Sequence, residues 1–92
     1  RLDLVMTTHI LFPKIDPEFP ATLSKKILGG ILRNQLRYRN LIITDDLDMK
    51  ALTKNYERGD IAVKALDAGC NLLLYCNEPE SHRLGIEAVE AA

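Results

Sequence analysis

Tryptophan is absent from these 92 residues, and three tyrosines and two phenylalanines are the only rings apart from histidine. Large aromatic side chains usually dominate cores and binding surfaces. Here the core has to be aliphatic. An excess of positive charge is also missing, since 12 Lys and Arg against 13 Asp and Glu leave a formal net charge of -1. A nucleic-acid partner calls for a basic stripe, so none is expected. Arg33, Arg37 and Arg39 do gather, but at the end of a predicted helix, where cations are favoured. Long apolar runs are lacking too. The longest, around Asn71 to Cys76, falls far short of the ~20 residues that cross a bilayer, so no membrane association is expected. Neither end reads as a signal peptide. Cysteine is scarce, with two residues, Cys70 and Cys76. If they flank a strand they lie ~20 Å apart along it, beyond the reach of a disulfide. Two free thiols fit a reducing, cytoplasmic setting. There is no C-x-x-C, no His-x-x-x-His and no glycine-rich phosphate loop. No metal site and no cofactor are therefore expected.

What is present fits one soluble unit over residues 1–92. A chain this short buries only about 60–65% of its unfolded surface, so its core is thin. Apolar residues make up 47% and charged residues 27%, both ordinary values. The chain begins at Arg1 with residues that already read as a strand, which predicts a piece of something longer.

Leu2 to Met6 is the first predicted strand. Pro13, Pro17 and Pro20 then exclude regular structure over 13–20. Thr22 or Ser24 can cap a helix whose stripe is Ile27, Leu28, Ile31, Leu32 and Leu36. Gly29-Gly30 weakens that helix by roughly 1 kcal/mol per glycine, and the pair is expected to let it approach a strand. Arg39-Asn40 turns into a second strand, Leu41-Ile42-Ile43. After Met49 the chain is polar through Thr53 to Gly59, a loop. A second helix from about Asp60 turns Ile61, Ala62, Ala65 and Leu66 inward and ends at Gly69 as its C′ residue. Asn71 to Cys76 is a third strand. Pro79 opens a third helix, with Leu84, Ile86 and Val89 as its apolar positions. Continuously apolar strands alternating with helices predict an α/β fold, a parallel βαβαβα arrangement with right-handed crossovers.

The central stretch is Ile43-Thr44-Asp45-Asp46-Leu47-Asp48-Met49. An apolar strand runs into a cluster of carboxylates at its C-terminal tip, the place where α/β folds carry chemistry. Burying such a cluster is costly unless it is paired or used. Neighbours on a strand point to opposite sides, so Asp45 and Asp46 cannot both face one pocket. One faces a substrate and the other caps the following loop. Aspartate is also a common turn residue, and spacing alone leaves both readings open. His9 likewise follows a strand, Met6 reads as core filling, Asn77 as a turn former and His82 as a surface residue.

These segments have a familiar order and spacing. Val5-Met6-Thr7-Thr8-His9-Ile10-Leu11-Phe12-Pro13, Pro20-Ala21-Thr22-Leu23-Ser24, Ile43 to Leu52 and Ala68 to Leu74 closely resemble the bacterial β-N-acetylglucosaminidases of glycoside hydrolase family 3. The resemblance covers nearly the whole chain. It departs at Asp48, where the family pattern T/S-D-D-L-S-M has serine. It implies a TIM (β/α)₈ barrel, of which these residues form about the last three βα units. It implies Asp45 as the nucleophile, forming a covalent glycosyl-enzyme that water resolves, as retaining enzymes do. His9, Met6 and Asp46 are implied as substrate-binding residues. The implied substrate is a peptidoglycan-derived saccharide ending in N-acetylglucosamine.

The family's acid/base histidine lies in a K-H-F-P-G-H-G loop, and no such stretch occurs here. Losing leaving-group protonation costs a factor of about 10²–10⁴, so the isolated chain is expected to be inactive. Three strands cannot close a barrel, and open edges predict self-association. The alternative, from another class, is a Mg²⁺-binding or phospho-accepting α/β signalling module built on Asp45, Asp46 and Asp48. Such modules take acids from two strand tips, and no second tip offers one.

Overall fold

Two short aliphatic runs make the only two-stranded sheet among the described residues. In the computed structural model, which describes residues 3–76 and 79–91, β1 (Leu4–Met6) pairs in parallel with β2 (Leu41–Ile43). The register sets Leu4 against Leu41, Val5 against Ile42 and Met6 against Ile43. Side chains alternate along a strand. Ile42 therefore points into the core and is fully buried, while Leu4, Met6 and Leu41 on the other face are about half exposed. One face of the sheet is covered and one is open.

The expected third strand is reduced to a single parallel bridge, Ile43 to Leu72. The cause lies in where its N–H groups go. Leu72 N–H donates to the Ile42 carbonyl at 3.1 Å. Two residues on, Leu74 N–H donates to the Thr44 hydroxyl at 2.9 Å, and Cys76 N–H donates to Asp46 Oδ1 at 3.0 Å. The segment runs beside the extension of β2, but side-chain oxygens replace the carbonyls of a ladder. The fold is α/β, and its parallel character is confined to these pairings.

Between the strands, Pro20 leads into one 3₁₀ turn, Ala21–Leu23, buried throughout. Ser24 then caps the next helix as expected: its Oγ accepts the Ile27 N–H at 3.1 Å. That helix, Lys26–Gln35, is a π-helix rather than the expected α-helix, and its end is marked by Leu36 N–H donating to the Ile31 carbonyl five residues back. Two consecutive glycines leave the backbone poorly held to α geometry. The glycines do not meet a strand as expected. The atom nearest to a Cβ built on Gly29 is the Ala68 carbonyl oxygen of a later helix, at 3.9 Å.

After β2, the polar loop contains one unexpected turn of helix, α1 (Lys50–Thr53). Leu52 anchors it and is fully buried. α2 spans Arg58–Ala68, two residues earlier than expected. Ile61, Ala62 and Ala65 are buried as expected, but Leu66 is not. Gly69 ends α2 at φ +133°. Its N–H donates to the Leu66 carbonyl, and Cys70 N–H reaches back to Ala65, the pattern of a Schellman cap. α3 (Pro79–Ala91) packs on α2, with Gly85 buried against Ala62 and the Tyr75 ring. Ile86 and Val89 stay exposed, contrary to expectation. Asn77 and the side chain of His82 lie outside the described residues.

The core joins Leu23, Leu28, Ile42, Leu47, Leu52, Ile61, Ala65, Ala68 and Cys70. No aromatic ring is central to it. Phe19, Tyr38, Tyr56 and Tyr75 pack around its rim. Both cysteines are free. No helix among the described residues is long and apolar enough to cross a membrane.

Candidate active site

β2 ends at Ile43, and Thr44 is the pivot between the strand and the acidic loop. Its hydroxyl is fully buried and holds Leu74, so the chain leaves the strand at a fixed angle. The three acids then come out in three different settings.

Asp45 is the one that is not buried. Its Oδ1 accepts the N–H of Asp46 at 2.7 Å. That bond orients the carboxylate at the strand tip. Asp46 is 8% exposed and turned inward. Its Oδ1 accepts two backbone N–H groups, from Asp48 and Cys76, each at 3.0 Å. The first closes an Asx turn, and the second ties the loop to the segment after Leu72. Asp46 is therefore the loop-capping member of the pair and braces the chain from within. Asp48 is also buried, and Arg58 at the start of α2 approaches its Oδ1 to 3.8 Å. The extra carboxylate thus faces the helix start rather than standing free at the tip.

Cys76 lies close to all three acids. Partial desolvation, followed by the negative charges of Asp46, Asp45 and Asp48, raises its thiol above the ordinary 9.0. Cys70, inside the core, is pushed up to about 11 by burial.

His9 reaches this cluster from the end of β1. It is 9% exposed, and both ring nitrogens are occupied within the chain. Nδ1 lies 2.7 Å from the Thr22 hydroxyl and Nε2 lies 2.7 Å from the backbone carbonyl of Asp46. Thr22 is fully buried, with the Thr7 hydroxyl at 2.8 Å and the Thr8 carbonyl at 2.9 Å from its own. The sequence offered His9 for a substrate, and the structure gives it these internal partners. Met6 sits on the open face of β1, about half exposed. Sequence reasoning misses Thr7, Thr22 and Thr44 as site residues. The one hint is composition: hydroxyl residues directly following aliphatic strands, where their hydrogen bonds need partners once buried.

A third buried acid lies away from the tip. Asp16 accepts the Ser24 hydroxyl at 2.6 Å on Oδ2, and the N–H groups of Glu18 and Phe19 on Oδ1. The Ser24 bond is the main cause holding its carboxyl below the ordinary 3.8, with the two backbone bonds helping and burial opposing. This cluster fixes the proline-rich loop. Among the described residues, no group of three or more His, Cys, Asp or Glu side chains is arranged to hold a metal ion.

The model of the glycosyl hydrolase family 3 N-terminal domain matches residues 1–92. A "Beta-hexosaminidase" of Nitrosomonas eutropha is 49% identical over 80 residues, covering 84% of this chain and 22% of that protein. One from Pseudomonas aeruginosa is 37% identical over 93 residues, covering 98% of this chain and 27% of that protein. Among solved structures, a glycoside hydrolase family 3 β-N-acetylglucosaminidase from Paenibacillus sp. superposes with a TM-score of 0.96 at 41% identity. It is matched by all of this chain over 18% of its own. The β-N-acetylglucosaminidase of Thermotoga maritima gives 0.82 at 34% identity, over 96% of this chain and 20% of its own. The chain spans about a quarter of the length of these curated relatives. By sequence over all 92 residues and by backbone superposition, this chain belongs to the glycosyl hydrolase family 3 N-terminal domain family.

Proposed function

We propose that this chain is the nucleophile-bearing part of a retaining β-N-acetylhexosaminidase, corresponding to about the last three βα units of its (β/α)₈ barrel. The observation that carries the reading is the contrast among the three acids. Asp46 and Asp48 are buried, and Asp45 alone is left partly open at the strand tip, oriented by a backbone N–H. The names of the relatives supply the substrate class, a saccharide with a terminal N-acetylhexosamine. Release of N-acetylglucosamine from peptidoglycan-derived saccharides in the cytoplasm is the setting we assign to it.

In the first step an Asp45 carboxylate oxygen bonds to the anomeric carbon while the bond from that carbon to the aglycone oxygen breaks. The departing oxygen takes a proton from an acid that this chain does not carry. In the second step water attacks the same carbon and gives its proton to the group that acted as acid in the first, while the acyl–glycosyl bond breaks and the Asp45 carboxylate is regenerated. The 92 residues alone are accordingly inactive, and turnover requires the acid and sugar-binding loops of the remaining units. The Mg²⁺-binding alternative has no observation in its favour, because Asp46 Oδ1 already accepts two N–H groups and Asp48 faces Arg58.

The test is chemical rescue in the full-length enzyme carrying this chain. Asp45→Ala is expected to lose at least about 10³-fold in kcat, in line with removal of a covalent nucleophile. Azide should restore turnover and yield the glycosyl azide of inverted anomeric configuration. Full activity in the variant would refute the assignment, as would the absence of an azide product.

A further inference from the structure

His9 stands beside the proposed nucleophile, yet neither of its ring nitrogens is directed to open space. Its hydrogen bonds define what it can do. A carbonyl oxygen only accepts, so the contact with Asp46 O requires a hydrogen on Nε2. In the neutral ring Nδ1 is then an acceptor. Thr22 has a single hydroxyl hydrogen and two acceptors in reach, Nδ1 at 2.7 Å and the Thr8 carbonyl at 2.9 Å. The Thr8 carbonyl also receives the Thr22 N–H at 3.1 Å, whereas Nδ1 of a neutral ring has the Thr22 hydroxyl as its donor. The Thr7 hydroxyl, 2.8 Å away, completes the chain by donating to Thr22. With the ring neutral, one direction satisfies every group: Thr7 to Thr22, Thr22 to His9, His9 to Asp46.

The end of that chain matters for catalysis. Asp46 is held at three points. Its carbonyl takes the His9 Nε2–H and the Met49 N–H, its carboxylate takes two N–H groups, and its own N–H holds Asp45 Oδ1. The donor that aims Asp45 is therefore on the same residue as the carbonyl that His9 anchors. We infer that His9 is a positioning residue for the nucleophile: through Nε2–H it fixes the Asp46 peptide and so the direction of the Asp45 carboxylate. It contacts no sugar. Thr22 is the second member of the device, because its hydroxyl holds Nδ1 at 2.7 Å and so fixes the orientation of the ring. This inference rests on the reading of Asp45 given above.

The test uses the full-length enzyme carrying this chain. Glutamine places an amide N–H near the position of Nε2, whereas asparagine places one only near Nδ1. H9Q should keep kcat within about threefold, and H9N should lower it by about 10–100-fold with KM little changed, since misplacement of a reacting group by about 1 Å can cost 10²-fold. Thr22→Val, which removes only the hydroxyl, should lower kcat in the same direction by less. Nitrogen-15 NMR of the wild-type ring should show the hydrogen on Nε2. A rise in KM at unchanged kcat in H9N would mean direct sugar contact and overturn the inference, as would equal kcat losses in H9Q and H9N. A hydrogen on Nδ1 alone would overturn it too, and that measurement needs no variant to fold. Azide rescue of Asp45→Ala is read separately. If rescue fails, the nucleophile reading is lost; if rescue succeeds while H9N has normal kcat, only the role of His9 is lost.

Discussion

Single carboxylates in this chain differ by what their oxygens accept. Asp45 and Asp46 are adjacent and chemically identical, yet one is partly open and the other ties the strand tip to the segment ending at Cys76. Strand alternation made it legible in the sequence that the pair would split, one member facing a substrate and the other capping a loop, but not which member would do which. Which backbone groups Asp46 would hold was not legible, because Cys76 is thirty residues away. Asp16 gives a quantitative handle on the same principle. Its folded-state carboxyl is held below its ordinary value, so it adds stability above about pH 4 that is lost as pH falls through the folded value. Asp16→Asn should destabilise the protein by about 1–3 kcal/mol at pH 7, the range for hydrogen bonds to a charged group. Urea melts at pH 7 and pH 3 should show the difference shrinking at the lower pH. An unchanged difference would mean the carboxylate's charge contributes nothing. His9 marks the limit of sequence reading. Its place at the end of β1 was visible, but the partners that occupy both its nitrogens come from Thr22 and Asp46, and only the fold brings them together.

Elements followed the sequence where a local signal fixed them. Gly69 was expected to end a helix, and it does so at φ +133°. Gly69→Ala should cost about 1–2 kcal/mol from backbone conformation alone, because the nearest atom to the added Cβ, Leu28 Cβ, is at an ordinary 3.5 Å. A thermal melt unchanged by that substitution would contradict the cap. Elements departed from expectation where distant groups intervened. The run Asn71 to Cys76 has the composition of a strand, but Thr44 and Asp46 side chains take N–H groups that a ladder would have used. The helix over Lys26–Gln35 kept its position and cap but has π geometry over its whole length. The turn Lys50–Thr53 was not legible because Leu52, its one buried anchor, sits in polar surroundings.

At the scale of the whole chain, the sheet has one covered and one open face. Leu4, Met6 and Leu41 line the open side, and Ile10, Leu11 and Phe12 extend the exposed apolar surface beyond β1. Exposed apolar area next to an open strand edge favours pairing with another copy. In isolation these 92 residues should self-associate. Size-exclusion chromatography with light scattering should give a mass above the 10.4 kDa of one chain; a well-folded monomer would contradict this. The fold class and the place of the acids were legible because they depend on local apolar runs and turns. The open face was legible only through the resemblance, since the same aliphatic residues would read identically in a closed sheet.

The account stands on one covalent bond, and that bond can be observed. The full-length enzyme should be incubated with a 5-fluoro N-acetylglucosaminyl donor, which slows release of the glycosyl-enzyme more than its formation. Peptide mass spectrometry is then predicted to find one sugar residue on the peptide spanning Thr44 to Met49, with fragmentation placing it on Asp45. A label on Asp46, on Asp48 or on any residue other than Asp45 would contradict the account.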